Sequence, residues 1–355
     1  MAYTEIDNPE LYFQTLIWSG NDVGTSRAFT FDGDEDMQPD LVWTKIRTGW
    51  AAKHNLWDSV RGVNKNISSD ATTTETTTDQ YGYVSSFDSD GFTGSNGSNV
   101  YNPRYLYNEN GGTYVAWCWK ETADAGFDIV GYTGNATDDV DISHSLSAVP
   151  HVIIVKNRDN TNNENWCVYH HKNTSAPETD FLKLNTSDAT ADEVEIWSDE
   201  VPTSSVFTIG RQDAINTSSG NHIAYLWSEK QGYSKFGSYT GNGNIDGDFV
   251  YTGFRPAWLM IKGPSQTQSW IMLDTKRSPH NVIGEDELLA NTTEATGAAS
   301  WNPNTSNAIM DILSNGFKIR TTQTTGLNTS GEPYIYMAFA EAPFVNSKGV
   351  PANAR

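Results

Sequence analysis

The sequence predicts an all-β protein built from three tandem repeats, and three observations support this prediction. Its apolar runs are short, rich in Val, Ile, Trp and Tyr, and bounded by Gly, Asn, Asp or Pro, which is typical of strands joined by turns. Helical periodicity is nearly absent. Several landmarks also recur three times in the same order along the 355 residues, and self-similarity at a fixed period is the mark of a repeat architecture.

Each predicted repeat, here called a copy, opens on an aromatic residue before a polar turn and closes on an aromatic strand. The opening landmarks are residues 18–21 (WSGN), 132–135 (YTGN) and 239–242 (YTGN). A strand that runs from Pro to Lys follows at residues 39–45, 150–156 and 256–262. The closing strands are residues 114–121, 222–229 and 334–341. A repeat of about 108 residues follows from this spacing.

A repeat of this length predicts a small antiparallel β-sandwich in each copy. A propeller-like ring, in which each copy supplies about two blades, would give the same periodicity, so this alternative stays open. The predicted boundaries are residues 1–121 for an N-terminal segment and the first copy, 122–231 for the second copy, and 232–355 for the third copy and a C-terminal tail.

Composition excludes several classes of function. The chain has 23 Lys and Arg against 44 Asp and Glu, a net charge of −21, so most of its surface would repel a nucleic acid. The N-terminus lacks the basic and apolar regions of a signal peptide, and no apolar run is long enough to span a membrane. We therefore expect folding in a cytoplasm. The two cysteines, Cys118 and Cys167, occupy non-equivalent positions, which favours buried free thiols over a disulfide.

The sequence shows none of the usual catalytic or cofactor patterns, so we predict a protein that is not an enzyme and has no cofactor. Nucleophile-elbow, phosphate-loop and zinc-ligand motifs are all missing. Residues 32–36 (DGDED) begin like a calcium loop, but Met37 stands where that loop needs Gly, so we predict a solvated acidic turn and no metal site. An acid pair for a polysaccharide depolymerase remains a lesser alternative, because the separation of such a pair is visible only in space.

Function is expected where the copies differ. The first copy has a longer loop before its closing strand, and the third copy has an additional tryptophan. Large amphipathic rings bury much area at little entropic cost and can stack on sugars or anchor a partner protein. Packing of the loop on its own domain is the alternative. The candidate receptor-binding or partner-binding residues are Tyr101, Arg104, Tyr105, Tyr107 and Trp301.

Several long stretches resemble tail-fibre-like, lectin-like structural proteins of marine tailed bacteriophages. They are residues 6–14 (IDNPELYFQ), 39–47 (PDLVWTKIR), 57–62 (WDSVRG), 87–92 (FDSDGF), 114–120 (YVAWCWK), 232–242 (GYSKFGSYTGN) and 336–344 (YMAFAEAPF). The resemblance covers nearly the whole chain and implies a virion component, with no catalytic residues to carry over. The chain departs from the pattern at His170, which replaces an acidic residue, and at Ser278, which replaces a glycine after Arg277.

The resemblance leads us to expect a tail-fibre or spike protein that contacts a host glycan or outer-membrane receptor. Such a protein would fold in the host cytoplasm, assemble into the phage particle and bind other virion proteins, and we expect it to be a homotrimer. Display in several copies would multiply a weak single site. The alternative is a purely structural head-decoration or tail protein that binds only other virion proteins.

Overall fold

A computed structural model describes residues 4–159, 162–281, 283–284, 286–296, 309–322 and 326–351. The prediction of an all-β fold is confirmed, since strands make up almost all of the regular structure there. The few helical turns are one 3-10 turn at Pro9–Leu11 and two short helices, α1 (Val194–Trp197) and α2 (Asp213–Asn216). None of the described helices is long and apolar enough to cross a membrane.

The first copy contains a large sheet and a small one. Its strands are β1 (Phe13–Ser19), β2 (Ser26–Phe29), β3 (Leu41–Thr48), β4 (Asn55–Asp58), β5 (Lys65–Asn66), β6 (Thr76–Thr77), β7 (Tyr83–Asp88), β8 (Gly91–Ser95) and β9 (Thr113–Trp119). The large sheet has the order β1-β9-β3-β4 and the small one the order β2-β8-β7. Strands β5 and β6 form a separate hairpin, which later borders the candidate site.

The second and third predicted copies also contain a large sheet and a small one, and the small sheets are β11-β16 and β19-β24-β23. The strands of the second copy are β10 (Phe127–Thr133), β11 (Val140–Ser143), β12 (Val152–Asn157), β13 (Cys167–His170), β14 (Asp180–Lys183), β15 (Ala191–Asp192), β16 (Val206–Ile209) and β17 (Asn221–Trp227). Those of the third copy are β18 (Ser234–Thr240), β19 (Phe249–Tyr251), β20 (Phe254–Lys262), β21 (Ile271–Asp274), β22 (Leu288–Leu289), β23 (Met310–Leu313), β24 (Gly316–Ile319) and β25 (Pro333–Pro343).

The three large sheets share one strand order. The order is β10-β17-β12-β13-β14-β15 in the second copy and β18-β25-β20-β21-β22 in the third, so the first four strands match β1-β9-β3-β4. The register matches as well, because Phe13 pairs with Trp119, Phe127 with Trp227, and Ser234 with Phe339. This register fixes which residues of the copies correspond. The repeat boundaries themselves remain a prediction.

The closing strand of each copy is buried on both faces, as its continuous apolar sequence indicates. In β9, Val115, Trp117 and Trp119 point into a core shared by all three copies, while Ala116 and Cys118 point into the core between the two sheets of the first copy. Both cysteines of the chain are buried free thiols. Because side chains alternate along a strand, one set of residues packs in the core of its own copy and the other set packs in the core shared by all three copies.

Tryptophan dominates the common core. The ring of Trp119 lies 6.3 Å from that of Trp227, 5.5 Å from that of Trp258 and 5.5 Å from that of Phe339, so it contacts both other copies. These pairs are edge-on, the geometry that aromatic quadrupoles favour. Trp119, Trp227 and Phe339 occupy the same position in the three closing strands, and all three are buried.

Buried lysines link the copies in a closed cycle. The ammonium group of Lys45 donates to the carbonyl oxygen of Thr293 in the third copy at 2.9 Å. Lys156 donates to Thr72 in the first copy at 3.3 Å, and Lys262 donates to Ser187 in the second copy at 2.9 Å. Burial lowers the pKa of each lysine to about 8. The sequence had marked these lysines only as repeat landmarks.

Candidate functional site

The candidate site is a cleft of about 540 Å³ in the first copy, here called the first-copy cleft. It lies between the segment that leads into β4, the β5–β6 hairpin, and the long loop that joins β8 to β9. Its lining residues are Ala51, Ala52, Lys53, Asn55, Asn66, Ile67, Ser68, Thr73, Thr74, Thr76, Asp79, Tyr81, Tyr105, Leu106 and Thr293. Concave sites with a few polar groups and aromatic walls are typical of ligand pockets.

The rings of Tyr81 and Tyr105 line one side of the cleft, and the ring of Trp50, which is not a lining residue, lies next to Tyr105. Tyr105 lies in the middle, with its ring 5.6 Å from that of Trp50 and 6.1 Å from that of Tyr81. Trp50 is 39% exposed and Tyr81 is 37% exposed, so both present ring surface to solvent. Burial raises the pKa of Tyr105 above its ordinary value, which keeps the hydroxyl protonated. That hydroxyl donates to the carbonyl oxygen of Ala51 at 3.3 Å.

The aromatic wall is held by backbone contacts. The Leu106 amide donates to the Tyr81 carbonyl at 3.0 Å, which joins the long loop to the segment before β7. The buried Tyr114 hydroxyl donates to the Tyr105 carbonyl at 3.0 Å. The Tyr81 amide donates to the carboxylate of Asp79 at 2.9 Å. These bonds fix the rings before a ligand arrives, and such preorganisation lowers the entropic cost of binding.

The opposite side of the cleft is polar and is anchored on the second copy. Glu75, in the β5–β6 hairpin, forms ion pairs with Arg158 at 2.9 Å and with Arg61 at 3.3 Å. Although burial by itself raises the pKa of Glu75, the hydrogen bond from Arg158 and the nearby Arg61 bring that pKa below its ordinary value. The threonine-rich turn of the hairpin is therefore held against the cleft by charge.

The third copy completes the floor of the cleft. The Lys45 ammonium donates to the carbonyl oxygens of Ala52 and Thr293, both of which line the cleft. The amide of Thr296 donates to the carbonyl of Arg47 at 2.8 Å, so the third copy follows the edge of the first. Trp301, one of the residues predicted from the sequence, lies outside the described residues.

The structure separates the remaining predicted residues. Tyr105 lines the cleft, whereas Tyr101 is 88% exposed at the tip of the same loop, outside the cleft. The Arg104 guanidinium donates to the backbone carbonyl of Asp22 and lies 3.9 Å from its carboxylate. Arg104 therefore ties the loop to the turn after β1.

Tyr107 is a core residue, which corrects the expectation that it contacts a receptor. Only 4% of the residue is exposed. Its ring covers Gly94 and Gly82, where an added Cβ would lie 2.5 Å and 2.8 Å from ring carbons, so only glycine fits beneath it. Its ring lies 6.2 Å from that of Phe29. The side chain holds the loop on its own copy and has no free surface to offer.

Sequence reasoning did not identify Trp50, Tyr81 or the β5–β6 hairpin. A signal was present for Trp50, because the segment after the repeat lysine contains an aromatic residue at 46–53 in the first copy and none at 157–165 or 263–269 in the other two. Tyr81 has no such signal. It enters the site through the fold of the hairpin and the long loop, which meet only in the tertiary structure.

The described part of the chain has no group of three or more His, Cys, Asp and Glu side chains that could hold a metal ion. The cleft is lined by ring faces, hydroxyls, amides, one carboxylate and one lysine. Such a set can bind a ligand by stacking and hydrogen bonding.

The chain belongs to the family described as Domain of unknown function (DUF7483), whose profile matches residues 8–343. No curated protein and no solved structure matches the chain significantly. The family therefore covers all three copies as one unit.

Proposed function

We propose that this chain is a non-enzymatic surface protein of a tailed-phage virion and that it contacts the host cell by binding a saccharide in the first-copy cleft. The observation that carries the proposal is the cleft itself. The rings of Tyr81 and Tyr105 line one side, the exposed ring of Trp50 lies 5.6 Å from that of Tyr105, and hydroxyl and amide groups line the other side. The virion context rests on the resemblance to tail-fibre-like proteins.

Saccharides fit the chemistry of this cleft. The apolar face of a sugar ring stacks on an aromatic side chain, and its hydroxyls require both donors and acceptors. The cleft supplies the hydroxyls of Thr73, Thr74 and Thr76, the amide of Asn55 and the carboxylate of Asp79. Its volume of about 540 Å³ is within the range of sites that hold small ligands.

An array of envelope polysaccharides from candidate host bacteria, probed with the labelled protein, tests this function. We expect binding to polysaccharides of susceptible hosts. Replacing one stacking ring, in Trp50→Ala or Tyr81→Ala, should weaken binding by about tenfold or more, because anchor aromatics carry a large share of binding energy.

The matched control is Tyr101→Ala. This tyrosine belongs to the same loop but lies outside the cleft, so the variant should bind polysaccharide as the unaltered protein does. The proposal fails if no envelope polysaccharide is bound, or if binding occurs but Trp50→Ala and Tyr81→Ala leave it unchanged.

A second candidate function, a purely structural virion protein, is favoured by the loop tip. Val100 and Tyr101 are 87% and 88% exposed. The Asn99 side chain accepts hydrogen bonds from the amides of Tyr101 and Asn102 at 3.0 Å and 2.9 Å, which fixes the tip. A rigid, exposed aromatic tip can anchor a partner protein. Loss of incorporation into particles in Tyr101→Ala, together with no binding of any envelope polysaccharide by the unaltered protein, would support this role.

A further inference from the structure

A second groove, here called the junction groove, lies where the second and third copies meet. It encloses about 460 Å³ and is lined by His151, Glu229, Gln231, Lys235 and Tyr251, among others. Neither the sequence nor the first-copy cleft points to it. The first copy provides most of the first-copy cleft, whereas the second and third copies provide most of the junction groove. The two sites can therefore be occupied at the same time.

An ordered polar network forms one side of the junction groove. The Glu229 carboxylate accepts from the Lys235 ammonium at 2.8 Å and from the Phe236 amide at 2.8 Å. The Glu229 amide donates to Nδ1 of His151 at 3.1 Å. Neutral His151 therefore carries its proton on Nε2 and can donate from that atom. The groove thus offers fixed acceptors and donors close together.

The other side of the junction groove carries an exposed aromatic ring. Tyr251 is 60% exposed. The register shows which residues correspond to it, because Val250, Ile142 and Phe29 are buried and pair with Phe317, Phe207 and Phe92, respectively. The residue that follows each of these buried positions is Tyr251 in the third copy, Ser143 in the second and Thr30 in the first. The fold is built with a small hydroxyl residue at this position in two copies, so it does not need a tyrosine.

The polar side of the groove is also specific to this junction. At the junction of the first and second copies, Asp40, Glu121 and Asp128 correspond to His151, Glu229 and Lys235. At the junction of the third and first copies, the corresponding residues are Ala257, Glu341 and Gln14. Only the glutamate recurs. The combination of imidazole, carboxylate, ammonium and exposed phenol ring exists at one junction alone.

We propose that the junction groove is a second saccharide site, which binds a neutral hexopyranose or N-acetylhexosamine ring stacked on Tyr251. The hydroxyls of that ring bind the Glu229 carboxylate, the His151 Nε2 proton and the Gln231 amide. The inference extends the proposed function and rests on it for the class of ligand. Two weak sites on one chain raise the avidity for a repeating polysaccharide, because the second contact becomes intramolecular.

Fluorine NMR of the full chain labelled with 3-fluorotyrosine tests the site directly. The signal of Tyr251 is assigned from its loss in Tyr251→Phe, and those of Tyr81 and Tyr105 are assigned in the same way. The probes are D-glucose, D-galactose, D-mannose and N-acetyl-D-glucosamine, titrated to millimolar concentrations. We expect a saturable shift of the Tyr251 signal with at least one of these sugars.

Variants then separate the two sites. Gln231→Ala changes an exposed side chain and should weaken the sugar affinity reported by Tyr251 by about tenfold, since a hydrogen bond to the ligand is lost. Trp50→Ala should leave that affinity unchanged. The matched control is Phe249→Ala, an exposed ring of the same strand that does not line the groove.

If Tyr81 and Tyr105 respond to sugar while Tyr251 does not, the junction site is wrong and the proposed function stands. If Tyr251 alone responds, the junction site stands, and the array of envelope polysaccharides with Tyr81→Ala decides the saccharide role of the first-copy cleft. If none of the three signals moves with any of the four sugars, the junction site is overturned and the array of envelope polysaccharides decides the proposed function by itself.

Discussion

Tyr225 of the second copy donates its hydroxyl proton to the Asp58 carboxylate of the first copy, with an oxygen–oxygen distance of 2.6 Å. Both residues are buried, and Asp58 also forms an ion pair with Arg61. The next junction has the same construction, since Trp117 donates to Asp274 at 2.8 Å and Asp274 pairs with Arg277. Two of the three junctions therefore contain a buried carboxylate with a donor from the neighbouring copy.

The junction between the second and third copies lacks the buried aspartate, the arginine that pairs with it and the donor from the neighbouring copy. The register aligns His170 with the two aspartates, Asn173 with the two arginines, and Met337 with Trp117 and Tyr225. A buried carboxylate without a donor would be costly, so its loss together with the donor and the arginine avoids an unpaired charge. The presence of His170 in place of an acidic residue thus has a structural explanation.

We predict that the Asp58–Arg61 pair behaves as a unit. Asp58→Ala should lower the free energy of unfolding by about 3–5 kcal/mol, because the buried Arg61 then keeps only its longer ion pair with Glu75 and the Tyr225 hydroxyl loses its acceptor. The double variant Asp58→His with Arg61→Asn copies His170 and Asn173. Its loss of unfolding free energy should be smaller than the sum of the losses in the single variants Asp58→His and Arg61→Asn. Urea unfolding of the four proteins in a double-mutant cycle measures the coupling. Additive effects would contradict this.

We predict that Tyr107 and Tyr101 differ sharply in their effect on stability. Tyr107→Ala removes a buried ring and should cost about 3–5 kcal/mol of unfolding free energy. Tyr101→Ala removes an exposed ring and should change that free energy by less than about 0.5 kcal/mol. Thermal and urea unfolding measure both. Equal costs would show that the loop is not packed as described.

We predict that the histidines between the second and third copies lower stability in acid. Burial, assisted for both by neighbouring histidines, lowers the pKa of His170 to about 3 and that of His171 to about 4, from 6.5. His151, Lys172, Lys235 and Glu229 are the charged or titratable groups around them. Between pH 6.5 and these lower values the unfolded chain binds more protons, so the free energy of unfolding falls as pH falls.

The measurement is urea unfolding at a series of pH values. Each histidine can contribute a slope of up to about 1.4 kcal/mol per pH unit in this window. His171→Gln should flatten the slope, while His280→Gln, which changes an exposed side chain outside this junction, serves as the control. An unchanged slope in His171→Gln would count against the assignment.

We predict the opposite pH response at Glu121. Burial, followed by a hydrogen bond with Asp128, raises the pKa of Glu121 from 4.5 to about 7. The folded protein binds more protons than the unfolded chain in that window, so this group's contribution to stability is lost as pH rises from 4.5 to about 7. Glu121→Gln, which resembles the protonated acid, should remove this loss.

The matched control for that change is Glu341→Gln in the third copy. Glu341 corresponds to Glu121 but accepts from Arg255 at 2.8 Å, so its replacement should destabilise the protein near neutral pH. The comparison of unfolding free energies at about pH 5 and about pH 8 distinguishes the two variants. A loss of stability in Glu121→Gln at the higher pH would refute the assignment.

The sequence by itself determined the strands, because a period of two and turn residues at strand ends are local properties. The uninterrupted apolar run at Val152, Ile153, Ile154 and Val155 predicted a strand covered on both faces, and all four residues are buried. The alternation at Phe249, Val250 and Tyr251 predicted a half-exposed strand, and only Val250 is buried. Burial of Cys118 and Cys167 as free thiols was predicted from their non-equivalent positions in the repeats, and both are buried.

Only the tertiary structure decided which surfaces meet. Tyr105 and Tyr107 are two residues apart in one loop, yet Tyr105 lines a cleft and Tyr107 is buried in the core of the first copy. The cleft also needs Thr293, and the junction groove brings Tyr251 to His151, contacts that join residues far apart in the chain. Local pattern cannot specify such contacts, because they depend on how the three sheets pack around their common aromatic core.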